Sequence, residues 1–588
     1  MNSKNPQSKV MELLAPVGSF AAFEAALAEG ADAVYLGAPE LNARALVRDF
    51  TFAEIGAMIQ YAHLQGAKVY IAMNSLVKEA ELPLALESLA HFDAFKADAL
   101  IIQDIGLLHL ARTGFPDLPL HASTLMSAHN SSAVRMLTDL GCKRVVLPRE
   151  LTVEEIATIF RKTGAELEVF VHGAMCFSYS GLCLFSSLHG GKSSLRGKCV
   201  QPCRRQYSWQ KKKSTKGTRQ VSGKGGGYLF SMNDLSAIEL LPELARAGVK
   251  SLKIEGRLKS AEYVRKTIRA YRLLLDNIDK TGSDRQEIQN KARQLLDEAM
   301  GRRRSTGFFL SRRPQEVITP HFSGNVGMMV GRVHKLETKF VAHGRQTTSL
   351  TVSLRHPLRI GDRLRLHNEK TGERITFTLR SLWVGPRTVQ QGNAGQTVRM
   401  ATQQKFSGKP EKNFKGSLFR VDIGSGRQDE KSARGKILGK AQKNKAPDSK
   451  KINNVMRTIA EDSIICGDVS LQNSDTRIFD KGPSRGQAQW WIKVNAFRDM
   501  HFRLPMVPGK YIVPVTEENV QQGIKFFKKY YENVIWSFPP VILEDRFDWY
   551  FRATAALAQN KYTQFQIGHF SQISLFPPAS ENQPPLKI

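Results

Sequence analysis

Four of the six cysteines in this 588-residue sequence fall within one short stretch: Cys176 and Cys183 in VHGAMCFSYSGLCLFS, then Cys199 and Cys203 in RGKCVQPCRR. Their spacing is C-x6-C-x15-C-x3-C. Thiolates are soft ligands for iron–sulfur clusters and zinc, and four from one loop can close around a single centre. Zinc ribbons favour two tight cysteine pairs. Only Cys199 and Cys203 are so spaced, which favours iron–sulfur over zinc, with buried unligated thiols as the plainer reading. Lys198, Arg204 and Arg205 flank the cysteines, where cations either lower thiol pKa values or meet phosphate. Cys142 and Cys466 stand alone and read as ordinary core or surface residues.

Other motifs are excluded by residue. GGKS at Gly190–Ser193 lacks the glycine a phosphate-binding loop needs five residues before its Gly-Lys pair, since that position is Ser186. Neither H-E-x-x-H nor G-x-S-x-G occurs, so no zinc protease or serine hydrolase is marked.

The elements that must carry the cysteines are short apolar runs alternating with amphipathic segments. ELLAPV, AVYLG, KVYIAMN, ALIIQD, LPLHAST, RVVLPRE, LEVFVHG and SLKIEGR read as strands, with helical patterns such as SFAAFEAALAEGAD and TVEEIATIFRKTGAE between most of them. Eight β-then-α units predict an α/β fold, a (β/α)8 TIM-like barrel, over residues 11–300, with a doubly wound open sheet as the alternative. The cysteine loop, 176–227, follows the seventh strand and so belongs to the face where such barrels build active sites.

Period-two alternation assigns side chains to the interior. It places Lys253, Glu255 and Arg257 on one face of SLKIEGR, His121 and Ser123 inward in LHAST, and Glu168, Phe170 and His172 inward in EVFVHG. Asn74, Asp104, Arg149 and Glu150 sit at the ends of the third, fourth and sixth strands. Glu255 and Arg257 read either as a structural ion pair or, converging with His172 and the cysteines, as a site for an anionic small molecule clamped by arginine.

Downstream the rhythm changes. Residues 301–423 alternate at period two between Gly, Pro and Asn, predicting a small antiparallel β-barrel. Residues 424–455 are basic and poor in large apolar residues, predicting a flexible linker, and 456–588 resume an α/β pattern without a chemical motif. The net charge of +31 and the pI near 9.9 call for a polyanionic partner, nucleic acid or an anionic surface. From Gly191 to Gly227 there are eleven Lys or Arg and no acid. Further basic runs start at Gly301 (GRRRSTGFFLSRR) and at Ser432 (SARGKILGKAQKNKAPDSKK). With no signal-peptide core and no apolar run long enough to span a bilayer, a cytoplasmic protein without membrane contact is expected, and there disulfides are disfavoured.

ELEVFVHGAMCFSYSGLCLFS, RGKCVQPCRR, SLKIEGRLKSAEYV, LLAPVGSFAAFEAALAEGADAVYLG and YLFSMNDLSAIELLPEL together resemble the collagenase-like peptidase family U32. The family pattern is complete from Glu168 to Cys183, and Phe185 then replaces a usual aliphatic residue. The β region resembles the family's C-terminal barrel, itself similar to domain two of elongation factor Tu; the last 130 residues or so resemble the extension of larger members.

The resemblance implies oxygen-independent hydroxylases of tRNA uridine, 23S rRNA cytidine or a quinone ring. It implies a 4Fe-4S cluster on Cys176, Cys183 and Cys199, with Cys203 as fourth ligand, and prephenate as oxygen donor. The charge favours RNA over a quinone. A target base would have to leave its stack. The expected roles are catalytic for Glu255, Arg257, His172 and Arg149. Asn74, Asp104, His121, Glu150, Lys253, Lys198, Arg204 and Arg205 are expected to bind RNA or the small anionic co-substrate. A collagenase-like peptidase and a non-catalytic RNA- or ribosome-binding protein are the alternatives. The sequence does not specify the oligomeric state.

Overall fold

The computed structural model describes residues 11–43, 50–210, 224–299, 303–320, 327–341, 345–368, 374–402, 416–422, 427–442, 444–459, 490–501, 508–526, 532–576 and 586–588. Residues 211–223 of the basic stretch and Cys466 lie outside them. Among the described residues no helix is long and apolar enough to cross a membrane.

The N-terminal body is a closed barrel of eight parallel strands. These are β1 (Glu12–Pro16), β2 (Ala33–Gly37), β3 (Lys68–Met73), β4 (Ala99–Ile102), β5 (Leu120–Ala122), β6 (Arg144–Val146), β7 (Glu166–Ala174) and, after three short strands, β11 (Val249–Ile254). Parallel pairing runs in order from β1 to β7, and β11 closes the ring by pairing with both β7 and β1. All eight coincide with the apolar runs of the sequence, because strands covered on both faces must be apolar nearly throughout.

The helices around the barrel start where the sequence supplies caps. Thr51 begins α2 (Phe52–Leu64) and Thr152 begins α6 (Val153–Thr163), each with a glutamate three residues on that completes a capping box. The seventh β–α unit is interrupted. Between β7 and β11 come the cysteine loop, a hairpin of β8 (Tyr207–Gln210) and β9 (Lys224–Gly227), and β10 (Asp234–Ser236), which pairs antiparallel to the end of β7.

The expected boundary at residue 301 is displaced. β12 (Arg304–Ser305) joins the barrel sheet beside β10, and Phe309 is buried in the barrel core. The body therefore runs to about residue 320, where the Tyr228 amide donates to the Pro320 carbonyl. Met328–Asp422 then form an eight-stranded antiparallel sheet around Val330, Leu350, Leu364, Val398 and Leu418.

The segment 424–455 is not the linker its composition predicts. Arg427–Lys440 form a helix lying on α1 (Phe20–Ala28) and α2, with Ala433 and Ile437 buried. Its Glu430 carboxylate accepts from the Phe20 and Ala21 amides at 3.0 and 2.9 Å, capping α1. Arg434 pairs with Glu54, Lys436 with Glu24, and Lys451 with Asp93. Two apolar anchors and ion pairs to partners far away in sequence hold the helix, and local composition carries neither signal.

The last unit is a four-stranded parallel sheet, Trp491–Lys493, Lys510–Pro514, Val534–Ser537 and Phe565–Gln566, packed around Trp536. It docks on the barrel at residues 126–132. Glu544 accepts from the Ser131 amide at 2.6 Å and from its hydroxyl at 2.9 Å, Asn130 donates to the Ile542 carbonyl at 2.7 Å, and His569 Nε2 meets the Met126 carbonyl at 2.8 Å.

Candidate functional site

The C-terminal ends of the barrel strands open into a cavity of about 630 Å³. All four clustered cysteines line it, together with Asn74, Arg149, Lys253, Glu255 and Arg257. Cys176 is exposed and the other three are partly covered. Burial pushes the Cys203 thiol up and Arg204 opposes this, while Cys176, Cys199 and Cys183 are near enough to add their own repulsion. The structure thus brings the four cysteines singled out in the sequence to the lining of one cavity.

The polar end of the cavity is held by an arginine. Arg149 donates to the Ala174 carbonyl at 2.6 Å and to Glu255 at 2.8 Å, and its guanidinium lies 3.8 Å from the Phe170 ring centroid. Lys253 is buried, donates to Glu168 at 2.8 Å and lies 4.5 Å from the Tyr35 ring centroid. Arg257 is likewise buried and donates to Asn42 at 3.3 Å. The Asn74 side-chain oxygen accepts from the Ala43 amide, and its amide group faces Ser123 at 3.4 Å.

Beneath this floor Glu12, Arg144, Glu166 and Glu168 form a buried ion network. Arg144 reaches Glu12 at 2.6 Å, Glu166 at 2.5 Å and Glu168 at 3.1 Å, and Tyr70 donates to Glu12 at 2.7 Å. Burial, followed by the Glu12 charge, raises the Tyr70 phenol well above its usual value, so it remains a donor. Glu12, Tyr70 and Arg144 escaped the sequence reading, although the parity rule applied to their strands marks all three.

Several expected site residues are placed elsewhere. His172 does not line the cavity. The β7–β11 register slips between Lys253 and Ile254, so that Phe170 pairs with Lys253 but His172 with the outward-facing Ile254. This bulge reverses the alternation. His172 packs behind the strand against Tyr271 and Tyr263, and burial lowers its pKa to about 3. His121 is sealed inside the barrel against the Tyr70 ring, and burial lowers its pKa well below the ordinary histidine value. Asp104 caps the helix Ile105–Gly114 through the Leu107 amide at 2.9 Å and also accepts from the Val77 amide.

Glu150 positions the cysteine loop instead of lining the cavity. It accepts from the Ser180 amide and from the Ser180 hydroxyl at 3.2 Å, and burial raises its pKa. Arg204 is a clamp: it donates to the carbonyls of Met175, at 2.5 Å, and Met232, and to the Ser231 hydroxyl at 3.1 Å. Its guanidinium is taken up in tying the loop to the barrel. Lys198 and Arg205 are exposed beside the cysteines.

The other end of the cavity is aromatic and apolar, formed by Phe177, Tyr179, Phe185, Leu195 and Phe230. Phe230 meets Phe177 at 4.9 Å and Phe185 at 5.8 Å between ring centroids. Sequence reading missed this cage, because Phe185 and Phe230 are 45 positions apart and only the fold brings them together. The lining combines four thiols, cations held in place by hydrogen bonds and ion pairs, and a cluster of aromatic rings.

Comparison with known proteins matches residues 18–319 to the model for Peptidase family U32. The chain is 34% identical over 397 residues to an uncharacterized protease of Methanocaldococcus jannaschii, covering 66% of this chain and 94% of that protein. It is 34% identical over 358 residues to a 23S rRNA 5-hydroxycytidine synthase of Escherichia coli, covering 60% of this chain and 52%, or about half, of that protein. A tRNA hydroxylation protein of Bacillus subtilis is 29% identical over 385 residues, covering 65% of this chain and 89% of its own. The family match takes in the cysteine loop and seven of the eight barrel strands, and the chain belongs to peptidase family U32.

Proposed function

We propose that the chain is an RNA-modifying enzyme that hydroxylates a pyrimidine base, in rRNA or tRNA, at the barrel mouth. The observation that carries this reading is the meeting of four cysteines, three cations and an aromatic cage in one cavity. Relatives named for rRNA and tRNA hydroxylation support it, and so does the basic charge.

Cys176, Cys183, Cys199 and Cys203 would hold a 4Fe-4S cluster. Among the described residues no three His, Cys, Asp or Glu side chains are gathered tightly enough for a single metal ion. What supports the cluster is that all four cysteines line one cavity, since thiolates are the usual ligands of such clusters. When bound, the cluster supplies iron as an electrophilic or electron-transferring centre at the cavity wall.

The chain's own residues do the rest. Lys253, Arg149 and Arg257 face the polar end, where they bind and orient a small carboxylate co-substrate, for which prephenate is the candidate. Glu168 and Glu255 hold two of these cations in place. Phe185 and Phe230 receive a planar base and keep water from its face.

Peptidase chemistry has less support. No histidine lines the cavity among the described residues, so Cys176 has no imidazole base there. A non-catalytic RNA-binding protein is separated from an enzyme by Cys176→Ala, which would abolish modification in the enzyme while leaving RNA affinity intact.

The test is anaerobic purification with iron and sulfide quantification, paired with mass analysis of RNA from a deletion strain. Iron and sulfide near four each per chain, with loss of a 5-hydroxypyrimidine in the deletion strain, is the expected result. Metal-free protein with freely alkylated thiols, or unchanged RNA, would overturn the reading.

A further inference from the structure

Two of the three basic runs are partly paired within the fold, with three cations of each in ion pairs. Arg303, Arg304 and Arg312 pair with Glu316, Asp297 and Glu155, and Arg434, Lys436 and Lys451 pair with Glu54, Glu24 and Asp93. In the cysteine loop Arg196 pairs with Glu81. Lys192, Lys198 and Arg205 are exposed there and form no ion pair with any described residue.

The same loop exposes large rings. Phe177 and Tyr179 remain 47% and 48% exposed on the lip of the cavity. Each is met at a steep angle by one neighbour, Phe177 by Phe230 and Tyr179 by His129. The backbone beneath them is pinned. The Ser127 hydroxyl donates to the Ser180 carbonyl at 2.6 Å, Glu150 accepts from the Ser180 amide, and Gly181, at φ +79°, lies so close to the Leu125 carbonyl that a Cβ would stand 2.2 Å from its oxygen. Leaving two apolar rings in water on a fixed loop costs stability unless a ligand covers them.

Exposed rings and unpaired cations carried on one loop match one ligand chemistry. Single-stranded nucleic acid offers flat π faces at each residue and an anion between them. A duplex hides its base faces, and a peptide lacks the regular anions.

We propose that Phe177 and Tyr179 form a stacking platform for the bases flanking the target nucleotide in an unpaired RNA segment, with Lys192, Lys198 and Arg205 meeting its phosphates. This rests on the RNA reading above and adds to it that the substrate is engaged as a strand opened at the site.

The test is equilibrium binding of a labelled ten-nucleotide pyrimidine RNA to the full chain, alone and annealed to its complement. Phe177→Leu and Tyr179→Leu should each weaken single-strand binding about tenfold, within the range for loss of one base–aromatic stack, with an unchanged salt slope. Lys198→Ala should reduce that slope by about 0.7. Phe177→Trp keeps a π face and should bind at least as tightly as the parent, which separates lost stacking from a damaged loop. The annealed RNA should bind parent and Leu variants alike. Leu variants that bind the single strand as tightly as the parent overturn the platform and leave the RNA reading standing. A parent chain that binds neither form overturns both.

Discussion

Arg149 and Glu255, from the ends of the sixth and eighth barrel strands, meet at 2.8 Å in the wall of the cavity, and both are nearly inaccessible to water. The pair links two strand ends on opposite sides of β7, and the Phe170 ring at 3.8 Å fixes the plane of the guanidinium. One arginine thus sets the shape of the polar end.

Arg149→Lys removes this geometry while keeping the charge. A lysine cannot donate to Ala174 and Glu255 together and also lie flat on Phe170. RNA hydroxylation in vitro should fall about 100-fold, the cost of misplacing a reacting group by ~1 Å, while iron content stays at the parent level. Glu255→Ala leaves the buried cation unpaired and should destabilise the chain by about 3 kcal/mol, measured by denaturant unfolding.

Acid should destabilise the barrel through His172. Burial holds its folded pKa at about 3, below the unfolded value, so its contribution is fully present above pH ~6.5 and is lost as pH falls toward 3. Between pH 6.5 and 4 this amounts to about 3 kcal/mol. His172→Phe, which keeps a ring against Tyr271, should flatten the decline of Tm across that interval. An unchanged acid limb would show that His172 does not set it.

Glu150→Ala should release the cysteine loop. In protein stripped of metal by chelator and reduced, iodoacetamide should label Cys176 and Cys183 several-fold faster than in the parent, because the Ser180 amide loses its acceptor. Equal rates would mean that Ser127 and Gly181 suffice to hold the loop.

Glu544→Ala tests the docking of the last unit. Its carboxylate accepts from Ser131 twice and meets Lys162 at 2.8 Å. Removing it should cost about 1–3 kcal/mol and speed amide exchange at Ser131 by at least tenfold. Because residues 126–131 lie between this unit and the cysteine loop, the labelling rate of Cys183 should rise too.

Repeating apolar runs and clustered thiols were legible in the sequence because both are local patterns. The eight strands and the gathering of Cys176, Cys183, Cys199 and Cys203 follow from them. Features set by partners distant in sequence were not legible. Parity counting places His172 inward because it cannot foresee a bulge. Asp104 was read as a ligand contact, but an aspartate at the end of a strand is equally the first residue before a helix, and here it caps one. Composition predicts a linker where the helix Arg427–Lys440 stands, because its stability comes from α1, α2 and two acids elsewhere, Glu54 and Glu24. Of the two readings for Arg204, the lowering of a thiol pKa holds for Cys203, whereas a phosphate contact does not, since its donors are occupied by carbonyls of the barrel.

The carboxylate of Glu430 closes the first amides of α1 from 410 positions away. On the ribosome the first helix has only its local Ser19 cap, on the Ala22 amide, until most of the chain has been made and Glu430 can reach the Phe20 and Ala21 amides. At ~5–20 residues per second that delay is at least about 20 seconds, during which the earliest β–α unit stands incomplete and open to chaperones or proteases.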